Sequence, residues 1–169
     1  VAVIEGLDLQ AAGIAASGIK EYFVLSPEQL GIFFSAGILG LLPGTLFGGR
    51  YADKVGRKRV LIWSVGVFAV FTLMTAWVNS FYTLLVVRFL AGVGMGAALP
   101  NLITLASEAT TENNRGRAVG LMYCGLPVGA LFLSFWAAYD PTGNWKSIFY
   151  LGGILPLLVI PLMIYLLPE

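Results

Sequence analysis

Six apolar runs, each about 18 residues or longer and each closed by a short polar or charged turn, take up almost the whole chain. Residues 1–24 are rich in alanine and glycine, are interrupted by Glu5 and Asp8, and end at Lys20 and Glu21. Ser26-Pro27-Glu28-Gln29 then reads as a helix start, with serine as N-cap, proline at the first helical position and glutamine completing a capping box. The second run continues to Gly49 with no charge after Glu28. Gly40, Gly44 and Gly48 recur in it at every fourth residue, on one helix face, and predict a seam where another backbone approaches closely. Residues 60–77 form the third run, Asn79-Ser80 a short turn, and residues 81–107 the fourth run, with Arg88 as its single charge. The fifth, 118–139, carries Gly120, Gly125 and Gly129 around Pro127, where a bend is expected because proline removes a backbone donor. Asp140-Pro141-Thr142-Gly143-Asn144 is the next turn, and Trp145 and Lys146 are expected at the membrane interface as anchors of a sixth run reaching about residue 167.

This pattern predicts an all-α integral membrane protein with six spans. Composition agrees: 58% of residues are hydrophobic and 11% charged, against roughly 25% charged in a soluble domain. The charges that exist are placed with a bias. Arg50, Lys54, Arg57, Lys58 and Arg59, half of the 10 basic residues, lie in one expected loop, 49–59, between the second and third runs. A second basic segment, 108–117, holds Arg115 and Arg117. Both segments are therefore expected on the cytoplasmic side. That placement explains the basic residues and leaves no nucleic-acid signal. With one cysteine and no histidine, the chain has no internal disulfide and no histidine-based metal site or proton relay. No cofactor is implied. Val1 already lies in an apolar segment, so the start of the first span is expected to be missing. An internal repeat of three spans plus three is hinted at by Tyr51-Ala52-Asp53 with Gly56 and by Tyr139-Asp140 with Gly143, each aspartate three residues before its glycine.

Ionisable side chains inside a span cost about 2.5 to 3.5 kcal/mol at its centre on insertion scales, so each one points to function. Glu5, Asp8 and Arg88 meet that description. Glu5 and Asp8 are three residues apart, one turn apart on nearly one helix face. At ~1.5 Å per residue Asp8 lies about 18 Å in from Lys20, and Arg88 about 12 Å in from Ser80, which brings both near mid-membrane. Burial disfavours the charged form of a carboxyl group, and two close together titrate as a unit. Glu5 and Asp8 are accordingly the candidate proton carriers, Asp8 above all. Arg88 stays charged and offers a planar fork for a carboxylate, either a substrate's or the protein's own. Its alternative role is simply to neutralise Asp8 or Glu5. Phe33, Phe34, Tyr123, Phe135 and Trp136 could line a pocket for a flat ring, Tyr123 foremost because it stands beside the expected bend, although for any one of them contact with lipid acyl chains is the simpler reading. Asn101, next to Pro100 in the fourth span, is a further polar candidate for substrate binding. No nucleophile-base pair, phosphate loop or metal-ligand cluster of enzymatic spacing occurs.

The segment from Gly49 through Asp53, Gly56, Arg57 and Lys58 to Arg59 resembles the signature between spans two and three of the major facilitator superfamily. Arg88-Phe89-Leu90-Ala91-Gly92 and Glu108 with Arg115-Gly116 extend that likeness. The resemblance implies the N-terminal six-helix half of a twelve-helix fold built as a 3+3 inverted repeat. It implies a gating role for Gly49, Asp53, Gly56, Arg57 and Lys58, in which the aspartate and arginine latch onto a helix of the other half. Glu5-Gly6-Leu7-Asp8-Leu9-Gln10-Ala11-Ala12-Gly13, Phe34-Ser35-Ala36-Gly37-Ile38-Leu39-Gly40, Gly96-Ala97-Ala98-Leu99-Pro100-Asn101 and Leu121-Met122-Tyr123-Cys124-Gly125 are similar to aromatic acid:proton symporters, nearest the bacterial 3-hydroxyphenylpropionate permeases. The wider symporter family usually has aspartate at both acidic positions of the first span, where this chain has Glu5 at the first. The likeness implies import of an aromatic carboxylate with a proton across a bacterial inner membrane, with a C-terminal half as partner. The rival readings are the same fold with another cargo, such as a sugar, another organic acid or a drug, and a non-transporting membrane receptor or scaffold.

Overall fold

The computed structural model describes residues 1–140 and 143–167; Pro141 and Thr142 of the expected outer turn lie outside the described residues. The apolar runs fold as α1 (Ala2–Phe23), α2 (Pro27–Val55), α3 (Arg57–Thr75), α4 (Phe81–Glu108), α5 (Arg115–Tyr123), α6 (Gly125–Tyr139) and α7 (Trp145–Leu166). A short 3-10 turn, Glu112–Asn114, precedes α5. With α5 and α6 counted as one interrupted span, six spans long and apolar enough to cross a membrane are present among the described residues.

Local chemistry accounts for the ends. The α2 capping box forms as expected: Gln29 N–H donates to Ser26 Oγ at 3.2 Å and Ser26 N–H to Gln29 Oε1 at 2.9 Å. The break between α5 and α6 falls at Cys124, three residues before Pro127, whose missing N–H cannot bond to the Tyr123 carbonyl. α1 ends at Val24, which adopts a left-handed conformation at φ 52° and ψ 50°, and Leu25 N–H reaches back to the Lys20 carbonyl at 2.9 Å. This is the helix-ending geometry that usually takes glycine.

Two expectations need correction. Segment 49–59 is not a loop, and span two does not stop at Gly49. α2 runs on through Arg50, Tyr51, Ala52, Asp53 and Lys54 to Val55, and α3 starts at Arg57, so the turn is essentially the single residue Gly56 at φ +100°. Residues 50–54 contain no helix breaker, and long basic side chains can reach the aqueous interface from a helix. Charge alone therefore does not end a helix; a backbone conformation open only to glycine does. Trp145, the first residue of α7, packs against α1, where a Cβ on Gly18 would come within 2.7 Å of it.

The packing order is α2 on α4, α4 on α3, α3 on α7, and α7 on α1, with α6 lying along α1. The first helix of each triplet thus packs on the second helix of the other triplet. The two seams share one register. A Cβ added to Gly44 would collide with the Val93 carbonyl, and one on Gly96 with the Leu41 carbonyl. On the other seam the same holds for Gly129 against Val3 and Gly6 against Leu126. Val3 and Gly6 therefore stand to Leu126 and Gly129 as Val93 and Gly96 stand to Leu41 and Gly44. Because three spans end on the opposite membrane side from where they began, this repeat is inverted. Gly56 and Gly143 of the aspartate-glycine echo both have positive φ and both follow the second helix of their triplet, but they stand two residues out of the seam register. On the α2–α4 seam Pro100 deprives the Gly96 carbonyl of its helical donor, and the Thr45 hydroxyl lies 3.1 Å from that carbonyl and 2.8 Å from its own Leu41 carbonyl.

Candidate functional site

Asp8 of α1 and Arg88 of α4 face each other inside the bundle. Arg88 Nη1 lies 3.3 Å from Asp8 Oδ1 and Nη2 lies 3.4 Å from Asp8 Oδ2, a two-pronged contact between groups whose residues are 6% and 3% exposed. α3 adds a third donor, Thr72 Oγ1, at 3.1 Å from Asp8 Oδ1. The guanidinium is also flanked by rings: its Cζ is 5.9 Å from the centroid of Phe33 on α2 and 5.5 Å from that of Phe149 on α7. Five helices thus converge on one buried ion pair. Such a pair contributes little net stability compared with apolar packing, yet losing one member strands the other charge.

Glu5 lies one turn before Asp8 and is 2% exposed, and neither carboxylate oxygen has a hydrogen-bond partner among the described residues. The two acids therefore sit in different surroundings. Asp8 is held by two donor side chains, while Glu5 is held by none. An unpaired buried carboxylate is among the most costly groups a protein can carry.

Beside the ion pair a cleft of about 170 Å³ is lined by Asp8, Arg88, Phe34, Gly37, Ile38 and Met95 among others. It offers one polar end and apolar walls. The structure brings Asp8, Arg88 and Phe34 together here, and Glu5 is not among the lining residues. It does not bring Tyr123 or Asn101 to this cleft. Tyr123 is 43% exposed at the end of α5, and Asn101 is buried in α4 with its amide donating to the Ala97 carbonyl at 2.8 Å. Phe135 and Trp136 lie exposed on α6.

At the junction of α2 and α3, Arg57 links two acids. Its Nη1 lies 3.0 Å from Glu108 Oε1 at the end of α4, and its Nη2 lies 3.7 Å from Asp53 Oδ1. Half-buried Lys58 follows Arg57 in the first turn of α3. Gly49 lies within α2 with open space where a Cβ would be, so no close contact accounts for glycine there. The residues that the sequence did not single out are Thr72 and Phe149. Neither carries a signal, since a threonine or phenylalanine in a span is ordinary; only the three-dimensional pairing reveals them.

The Major Facilitator Superfamily model matches residues 1–169. Among curated proteins, the 3-(3-hydroxy-phenyl)propionate transporter of Escherichia coli is 53% identical over 169 residues, covering all of this chain and 42% of that protein. The gallate transporter of Pseudomonas putida is 38% identical over 172 residues and the 4-hydroxybenzoate transporter of Pseudomonas aeruginosa 37% over 170, each match covering all of this chain and 38% of the relative. The chain thus spans about two-fifths of the length of these relatives. Among solved structures, the partially occluded inward-open xylose transporter of E. coli superposes with a TM-score of 0.87 at 20% identity, covering 99% of this chain and 46% of that one. This likeness shows the fold.

Proposed function

The chain belongs to the major facilitator superfamily, and on that premise we propose that it forms the N-terminal half of a proton-coupled importer of aromatic carboxylic acids in a bacterial inner membrane. The observation that carries this reading is the two-pronged Arg88–Asp8 pair beside an apolar cleft. A guanidinium that already grips one carboxylate is shaped to grip another. An aromatic carboxylate entering the cleft would place its ring against Phe34, Ile38 and Met95 and compete with Asp8 for Arg88. The relatives' named cargoes, hydroxyphenylpropionate, gallate and hydroxybenzoate, are all of this chemical kind.

Proton coupling follows from charge balance. Once Arg88 holds the substrate, Asp8 loses its counter-ion in a buried setting, and taking a proton from water on the open side restores neutrality. Substrate anion plus proton therefore replace the Asp8 charge. Glu5, without a partner, carries or relays the proton next to it. Arg57, held between Asp53 and Glu108 and hinged at Gly56, makes the cytoplasmic latch, with Gly49 and Lys58 beside it.

The test is uptake of radiolabelled 3-hydroxyphenylpropionate into membrane vesicles carrying the twelve-helix parent, with and without an imposed inward proton gradient, alongside Asp8→Asn. The expected result is accumulation that requires the gradient in the wild type and is lost in the variant. Accumulation indifferent to the gradient defeats proton coupling. Absence of uptake by folded protein defeats the choice of cargo.

A further inference from the structure

We infer that Thr72 is a positioning residue of the transport site, whose hydroxyl satisfies Asp8 in both states that the exchange at Arg88 requires; this rests on the exchange reading above. Thr72 is completely buried in α3, and its Oγ1 is 3.1 Å from Asp8 Oδ1, the oxygen that Arg88 Nη1 reaches at 3.3 Å.

The direction of this hydroxyl is unusual for its setting. A serine or threonine inside a helix commonly returns its proton to a carbonyl one turn back. Ser64, Thr75 and Thr104 do so here, donating to Val60, Phe71 and Pro100 at 2.6, 3.0 and 2.9 Å. Thr72 instead reaches across to another helix. Its other branch is held as well, because Cγ2 faces Gly152 of α7, where an added Cβ would come within 3.3 Å. The side chain is packed so that the hydroxyl faces Asp8.

This matters at the moment of exchange. The charged groups around Asp8 are Arg88 from α4 and Glu5 on its own helix, and α3 brings the Thr72 hydroxyl. When a substrate carboxylate takes the guanidinium, Thr72 stays, since it sits on a different helix from Arg88. A hydroxyl both donates and accepts. It donates to the Asp8 carboxylate in the unloaded state and, after rotating its proton away, accepts from the protonated acid in the loaded state. Neither state leaves the carboxyl group stranded. Without the hydroxyl, the unloaded state keeps Arg88 while the loaded state has nothing, so the loss falls on substrate binding.

The experiment compares Thr72→Ser, Thr72→Val and Thr72→Ala in the twelve-helix parent, measuring KM and maximal rate for 3-hydroxyphenylpropionate uptake under a fixed proton gradient. Serine keeps the hydroxyl, valine keeps the shape, and alanine removes both. Thr72→Ser is expected within about twofold of wild type, and Thr72→Val and Thr72→Ala to raise KM about tenfold or more with a smaller change in maximal rate. Valine or alanine behaving like serine, whether all are normal or all impaired, overturns the inference; if valine fails to insert, serine and alanine alone decide. A cargo-independent arm compares thermal unfolding of Thr72→Val in the wild-type background and in Asp8→Leu/Arg88→Leu. A drop in melting temperature confined to the background that retains Asp8 supports the contact, and equal drops in both overturn it. Should the wild type take up no aromatic acid, the exchange reading falls and this arm still decides whether Thr72 holds Asp8.

Discussion

Glu5 and Asp8, a single turn apart, have different structural dependencies. Asp8→Ala would leave the Arg88 guanidinium buried without its counter-ion, and we expect it to cost about 3 to 5 kcal/mol, read as a lower melting temperature in detergent. Glu5→Gln breaks no hydrogen bond seen here, so its melting temperature is expected to stay near wild type while gradient-driven uptake falls. A large loss of stability in Glu5→Gln would mean that Glu5 has an essential partner. All three charged site residues were legible in the sequence because an ionisable group inside an apolar run is rare and stands out. What could not be read was their environment. That Asp8 and not Glu5 faces Arg88 depends on the rotation of α1 about its axis, and two acids one turn apart share nearly the same face. Tyr123 shows the converse. The bend beside it was legible from Pro127, but the direction in which the ring leaves that bend was not, and it opens to the surface instead of the cleft.

Helix existence was legible throughout and helix ends only in part. The capping box at Ser26 is a local signal and formed as written. The boundary near Gly49 is not legible, because a cluster of charge reads as the end of a span, whereas residues 50–54 continue the helix and Gly56 ends it. At Val24 the chain places a β-branched residue in a left-handed conformation. Glycine there removes the Cβ clash, and Val24→Gly is expected to raise stability by about 1 kcal/mol, measured as an increased melting temperature. The seams behave oppositely. Gly44→Val and Gly129→Val each push a side chain into a backbone carbonyl of the facing helix. Each is expected to cost more than about 2 kcal/mol and to reduce the amount of folded protein in the membrane. Comparable losses at the two positions would match the shared register of the seams; a tolerant Gly129 would show the second seam to be looser.

In the whole molecule, neither triplet of spans is a unit by itself. α1 packs on α6 and α4 on α2, so each triplet lends its first helix to the other. The half-molecule is therefore closed by exchange between its parts, with the Arg88–Asp8 pair linking the two lending helices at the centre. Cutting the chain in the Asn79–Ser80 turn and producing both pieces together is expected to restore folded protein, while residues 1–79 alone are degraded; a stable isolated piece would contradict this interdependence. The repeat was barely legible in the sequence, because its register rests on a valine, a leucine and a few glycines whose spacing gains meaning only once the facing helices are known. This exchange also sets an order of events at the ribosome. α1 is made three spans before its partner α6, so the glycine face of α1 and the carboxylates of Glu5 and Asp8 must wait in the lipid or the translocation machinery while the intervening spans are synthesised. Until α4 delivers Arg88, Asp8 has no counter-ion, so the charge pairing at the centre of the bundle can form only after the fourth span has been made.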